Sequence, residues 1–177
     1  VTLAQAYYAL AAFLLVAGFL VFTGSPILRT FRRSKVATWV LGLIAIAWFA
    51  WWLQTGMPDA DFAGLPRLPV QVVFLGFSFL AFYFMPDFLS VRALAVIMLF
   101  LARTALDAGA RQLPASLLEA SVSYGFLVLF GFWWASSPPV FNRQCDWVLA
   151  TQGRQRAVGG FLLILAVACL AQSFRVS

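Results

Sequence analysis

Six apolar runs, each close to twenty residues and each ended by a turn signal, limit what this chain can become. They cover residues 3–23, 36–53, 69–85, 88–107, 115–135 and 157–173. A helix of about 20 residues rises roughly 30 Å, the thickness of a bilayer's hydrocarbon core. In that medium the backbone must satisfy its own hydrogen bonds, which leaves helices or a closed barrel. A barrel would alternate apolar and polar residues over short strands, and these runs are continuous. Composition agrees: 63% of the 177 residues are hydrophobic, 10% are charged and mean hydropathy is +0.93. A water-soluble domain is nearer half apolar and a quarter charged. The expected fold is all-α, a polytopic transmembrane helical bundle of about six spans, with residues 1–177 as a single integral membrane domain.

The connectors supply the stops. "TGSP" follows the first run and "SSPP" the fifth, while "MPDADFAGLPRLP" and "MPD" flank the third. Proline donates no backbone hydrogen bond and its ring clashes with the preceding turn, so it ends helices. The first run has no positive n-region before it and no A-x-A-like site after it. It reads as a span rather than a cleaved signal peptide.

Basic residues set the sidedness. Arg29, Arg32, Arg33 and Lys35 lie in the first loop, Arg92 in the third, and Arg143, Arg154 and Arg156 in the fifth. Arg67, Arg103, Arg111 and Arg175 fall on the other side. The positive-inside rule then puts the odd loops in the cytoplasm and both termini outside. The net charge of +6 belongs to this loop bias, and nucleic acid is not an expected partner. Tyr7, Tyr8, Trp48, Trp51, Trp52, Trp133 and Trp134 stand near run ends, where amphipathic rings anchor at headgroups.

The fifth loop holds more than a turn. Val140, Phe141, Trp147, Val148 and Leu149 interleave with Asn142, Arg143, Gln144 and Asp146, the pattern of a short amphipathic surface helix. The order span, Ser-Pro stop, basic loop, span also occurs twice, around "TGSPILRTFRRSK" and "SSPPVFNRQCDW", as in a parallel repeat. Gly159 and Gly160, opening the sixth run, would let another helix approach closely.

Chemistry-bearing residues are few. There is no histidine, which removes the commonest general base and the commonest metal and haem ligand. Cys145 and Cys169 belong at different depths, which argues against a disulfide. Asp59 and Asp61 lie in an outer loop with too few oxygen ligands for a metal. No phosphate-binding, zinc-binding or nucleophile-elbow motif occurs. "LDAGARQLPASLLEASVSYG" faintly resembles the CDP-alcohol phosphotransferase signature, but Asp107 and Glu119 are two carboxylates where that family's metal site needs four. No metal and no cofactor is expected.

The remaining candidates are charges on the fourth and fifth runs. At 100° per residue Arg92 and Arg103 lie about 20° apart, with Asp107 about 40° further round. A helix entering near Phe88 would carry Arg103 roughly 22 Å into the core. Ser116, Glu119 and Ser123 share a face of the returning helix. Arg92, Arg103, Asp107 and Glu119 thus form a candidate intramembrane charge cluster, with an Arg103–Glu119 pair across the hairpin as its sharpest form. Snorkelling of Arg103 to the headgroups and a purely structural ion pair are the competing readings. No residue is expected to be catalytic.

The strings "FLSVRALAVIMLFLARTALDAGA" and "FRRSKVATWVLGLIAIAWFAWWL" resemble segments of small bacterial polytopic membrane proteins that have no assigned activity. In those a Val-Arg-Gly-Leu-Ala-like helix ends in a Leu-Asp-Ala-Ala-like stretch. Here Ala93 stands in place of the glycine. The resemblance implies a multi-pass protein of the bacterial inner (cytoplasmic) membrane and supplies no site residues. The expected function is a non-enzymatic subunit, assembly factor or scaffold. Its expected partners are the lipid bilayer and other membrane subunits or a second copy. The alternative is a small oligomeric transporter or channel using the charges of the fourth and fifth spans. A lipid-acting enzyme is a distant third.

Overall fold

The computed structural model describes residues 1–55, 66–84 and 88–176, and among these there are helices and turns but no strand. Helix α1 (Leu3–Phe22) starts in a capping box. The Gln5 N–H donates to the Thr2 hydroxyl and the Thr2 N–H donates back to the Gln5 side chain, which satisfies two amides that the first turn leaves open. A short α2 (Pro26–Thr30) follows, with Pro26 at its first position, where no amide donor is needed. A 3₁₀ turn, Phe31–Arg33, leads into α3 (Lys35–Thr55). Helix α4 covers Arg67–Phe84 and α5 covers Leu89–Gly109. The next crossing is α6 (Leu117–Val122), a π-helical turn (Ser123–Val128) and α7 (Leu129–Ser136) in one unbroken run. Helix α8 (Pro139–Leu149) and the long α9 (Gln152–Val176) complete the described chain.

Five helices are long and apolar enough to cross a membrane: α1, α3, α5, the α6–α7 run and α9. This is a multi-pass membrane protein. The sixth crossing follows from connectivity. Thr55, ending α3, lies beside Asp107 and Ala108 near the end of α5. The start of α5 is at the opposite face, where the Ser90 hydroxyl donates to the Phe31 carbonyl at 3.0 Å. The chain must therefore return between α3 and α5, and α4 makes that return. Its 18 residues span about 27 Å. Met85, which ends the expected third run, lies outside the described residues, as do Asp59 and Asp61.

Beside α5, the most buried crossing, stands α1. Its stripe Leu3, Tyr7, Leu10, Leu14 is buried at helical spacing, against Met98 and Ala102 of α5, Leu127 of the π turn and Ala166 of α9. Helix α9 lies antiparallel along it. The Gln155 side-chain amide near the start of α9 donates to the Phe22 carbonyl at the end of α1, and Tyr8 meets Phe174 edge-to-face at the other end. Both chain ends thus sit on one face, which we call the terminal face. The loops carrying Arg29, Arg33, Lys35, Arg143 and Arg154 sit on the other, which we call the basic face.

In a bilayer the association of helices relies on close van der Waals fit, so small residues belong at the contact. Gly159 meets the backbone of Phe22 so tightly that a Cβ would overlap it, and Gly18 faces Leu162 and Leu163. Gly160 has open space instead. Only the first of the two expected glycines is a packing residue. Gly24 adopts φ +63°, the left-handed conformation glycine tolerates best, and leads from α1 into the turn before α2.

The amphipathic helix expected at 140–150 is α8. Phe141 and Leu149 are buried, and the Trp134 indole N–H of α7 donates to the Gln144 side chain at 2.8 Å. Phe141 also packs against Trp134 and Phe31, so α8 docks on both α7 and the turn before α3. Cys145 and Cys169 are both free thiols. Burial, with Asp146 adding to it, pushes the Cys145 thiol up to about 12.

Two measurements check this packing. Gly159→Ala is expected to cost about 1–3 kcal/mol by overpacking against a rigid backbone, read as a lower unfolding midpoint in detergent. Gly160→Ala should leave the midpoint unchanged or raise it slightly. Alkylation of Cys145 by iodoacetamide at pH 8 should be at least about a hundredfold slower than that of an exposed thiol, because so little thiolate is present.

Candidate functional site

The expected charge cluster divides into two places, and the hairpin between α5 and α6 explains why. Arg111 takes φ +64° in the turn that follows Gly109. That turn delivers α6 against α1 and back along α5, while the charged stripe of α5 faces α3.

The first place is a buried polar knot near the terminal face. Helix α6 starts at Leu117, and its N-cap Ser116 makes no side-chain cap. Its early amides need acceptors from elsewhere. Tyr7 supplies one. The Glu119 N–H donates to the Tyr7 hydroxyl at 3.2 Å, and that hydroxyl donates to the Ala115 carbonyl at 2.6 Å. The Gln172 side-chain amide of α9 donates to the same carbonyl at 3.4 Å. Tyr7 therefore caps a helix more than a hundred residues away.

The Glu119 side chain is 1% exposed. The Ser123 hydroxyl donates to its Oε1 at 2.9 Å. Its Oε2 fills the space a side chain would take at Gly109, so glycine there makes room for the carboxyl. Placement in the first turn of α6 also sets it against the positive end of that helix. Among the described residues no cation pairs with it. Ser116 and Ser123 of the same run are buried too, as are Cys169 and Ser173 of α9. The hydroxyl and the carboxyl it binds are both buried. The π turn begins at Ser123 itself; its widened backbone is a feature often found at special sites.

The second place is the outward stripe of α5. Arg103 Nε lies 3.6 Å from Asp107 Oδ2, one turn on, and the guanidinium stands 4.3 Å over the ring of Trp52. With side chains 47% and 73% exposed, this pair adds little to stability. The expected Arg103–Glu119 pair is not formed. Equal depth placed the two residues at one level, but they face different neighbours: Gly109, which touches Glu119, lies about 120° round α5 from Arg103. Arg92 and Arg103 do share a stripe, and both line a cleft between α3, α4 and α5 of about 590 Å³. Its walls are mostly apolar: Ala45, Ile46, Phe49, Val96, Leu99 and Phe100.

Tyr7 is the residue sequence reasoning misplaced. Expected as a headgroup anchor with Tyr8, it is fully buried, whereas Tyr8 is 41% exposed. Adjacent helical residues point about 100° apart, so two consecutive tyrosines on a central helix cannot both face lipid. Among the described residues no group of three or more histidine, cysteine, aspartate or glutamate side chains could hold a metal. No family model matches the chain, and neither a curated protein nor a solved structure matches it.

Three substitutions rank these interactions in one unfolding assay in a fixed detergent. Tyr7→Phe leaves a buried amide without its acceptor and is expected to cost about 1–3 kcal/mol. Gly109→Ala, which must displace the Glu119 carboxyl, is expected to cost at least as much. Arg103→Gln is expected to cost no more than about 1 kcal/mol. A larger loss for Arg103→Gln than for Tyr7→Phe would reverse the assignment.

Proposed function

We propose that this protein is a non-enzymatic component of a membrane complex, a subunit, assembly factor or scaffold, in the bacterial inner membrane. The observation that carries the reading is the disposition of α4. It contacts the rest of the bundle mainly along α3, with Phe74 edge-on to Phe49, and turns Leu68, Val72, Val73, Phe77 and Leu80 outward. That outward row of large apolar side chains is suited to receive a neighbouring helix, since helix association in lipid comes from close contact. Meanwhile the buried polar groups of α1, α6 and α9 hold those helices together. The positive-inside rule would put the basic face in the cytoplasm and both described ends outside.

The transporter reading needs the α5 and α6 charges on one path. Arg103 faces α3 and Glu119 faces α1, so the geometry favours the component reading. As a membrane protein without a placed substrate site, the chain is best tested for partners. A photo-crosslinker at Phe77 should give adducts with a specific second membrane protein, or with a second copy, in intact membranes. The same probe at Ile164 of α9 should give none, although that position is also exposed. A monomer across several mild detergents together with no adduct at Phe77 would falsify the proposal.

A further inference from the structure

Near the terminal face a second cavity, of about 400 Å³, adjoins the cleft between α3, α4 and α5. Trp48, Trp51 and Trp52 of α3 line it with Arg103 and Asp107 of α5, and Val1 is also on its wall. Phe100 and Arg103 line both spaces, so the two meet along one turn of α5. From Arg103 the cleft follows α5 past Leu99 and Val96 to Ala93, about 15 Å, or half the hydrocarbon core. That is the depth one acyl chain occupies in one leaflet.

The two charges in the cavity are positioned but not satisfied. Arg103 Nε stands 3.6 Å from Asp107 Oδ2, longer than a hydrogen bond, and the guanidinium is held 4.3 Å over the Trp52 ring. Among the described residues none accepts a hydrogen bond from that guanidinium and none donates one to that carboxylate. The first group has five donors and the second only acceptors. The hydroxyls of Thr55 and Thr104, on the same wall, donate to the carbonyls of Trp51 and Phe100 in their own helices, at 2.9 and 2.8 Å. They can only accept from a ligand. The cavity therefore offers an anion position at Arg103 and, one helical turn away, a cation position at Asp107 among hydroxyl acceptors and indole faces.

We propose that this cavity binds the headgroup of a zwitterionic phospholipid bearing a primary ammonium, a phosphatidylethanolamine. Its phosphate accepts from Arg103, its ammonium donates to Asp107, and one acyl chain lies in the cleft. A headgroup with net negative charge would bring no cation to Asp107. A quaternary ammonium has no N–H to donate to that carboxylate. The site does not rest on the partner reading, because the outward residues of α4 take no part in it.

Native mass spectrometry of the full chain tests it, with phosphatidylethanolamine, phosphatidylcholine and phosphatidylglycerol of identical tails and with soluble phosphoethanolamine. One phosphatidylethanolamine per chain should be retained, preferred over each other lipid by about tenfold, the size of one hydrogen bond to a charged group. Asp107→Asn should reduce the preference over phosphatidylglycerol to about twofold or less. Arg103→Gln should lower retention of all three lipids about tenfold. Both side chains are exposed enough for these variants to fold, which helicity and a monodisperse profile check. Gly42→Leu, which fills the cleft, should also lower retention of all three; if it does not fold, the two charge variants still decide. Equal retention of phosphatidylethanolamine and either other lipid by the unaltered chain overturns the proposal, as does a preference that Asp107→Asn leaves intact. An adduct with soluble phosphoethanolamine as stable as that with the lipid overturns the lipid as its source.

Discussion

The hydroxyl of Tyr7 joins segments of this molecule that lie far apart in sequence. It accepts from the Glu119 amide and donates to the Ala115 carbonyl, and the Gln172 amide reaches the same carbonyl. Three crossings, α1, α6 and α9, converge on those few atoms. In water such bonds would compete with solvent and each would contribute modestly. Inside a bilayer no solvent competes, and an amide left open has no water to turn to. The register of α6 against α1 follows from this knot. So does the direction in which α6 leaves the hairpin and the face of α5 that is left for Arg103.

The knot and the cleft represent two uses of polarity in one apolar bundle. On the α1–α6–α9 side, polar atoms are buried and internally satisfied, and the small residues Gly18, Gly109 and Gly159 bring helices together. On the α3–α4–α5 side, small residues do the opposite. Gly42, Ala45 and Ala93 line the cleft. The first half is a closed scaffold, and the second is open to what lies beside it in the membrane, where the outward face of α4 also stands.

Much of the architecture was legible from hydropathy alone. The expected runs coincide with α1, α3, α4, α5, the α6–α7 helix and most of α9, because a span is defined by length and apolarity. Helix α9 begins at Gln152, five residues before the expected run, since Arg154 and Gln155 continue the helix past the hydrocarbon boundary where hydropathy no longer reports it. The π turn at Ser123 left no mark in the sequence, being a backbone choice among residues that also suit an α-helix. The site was legible in part. Spacing put Arg92, Arg103 and Asp107 on one stripe, and put Ser116, Glu119 and Ser123 on one face. Spacing gives depth, however, and depth does not fix azimuth between helices. The i, i+4 partner Asp107 therefore took Arg103, and the remote Tyr7 was found only once α1 and α6 were placed side by side.

The antiparallel contact of α1 with α9 has a consequence in time. Phe22 and Gln155, joined by a hydrogen bond, are 133 positions apart. At a synthesis rate of roughly 5–20 residues per second, α1 waits on the order of ten seconds for its main neighbour. During that wait its glycine-lined flank and the Tyr7 hydroxyl face lipid or another helix. Helix α9, emerging much later, thus completes the environment of α1, and this pair forms by closing a long stretch of chain rather than by stacking neighbours in order.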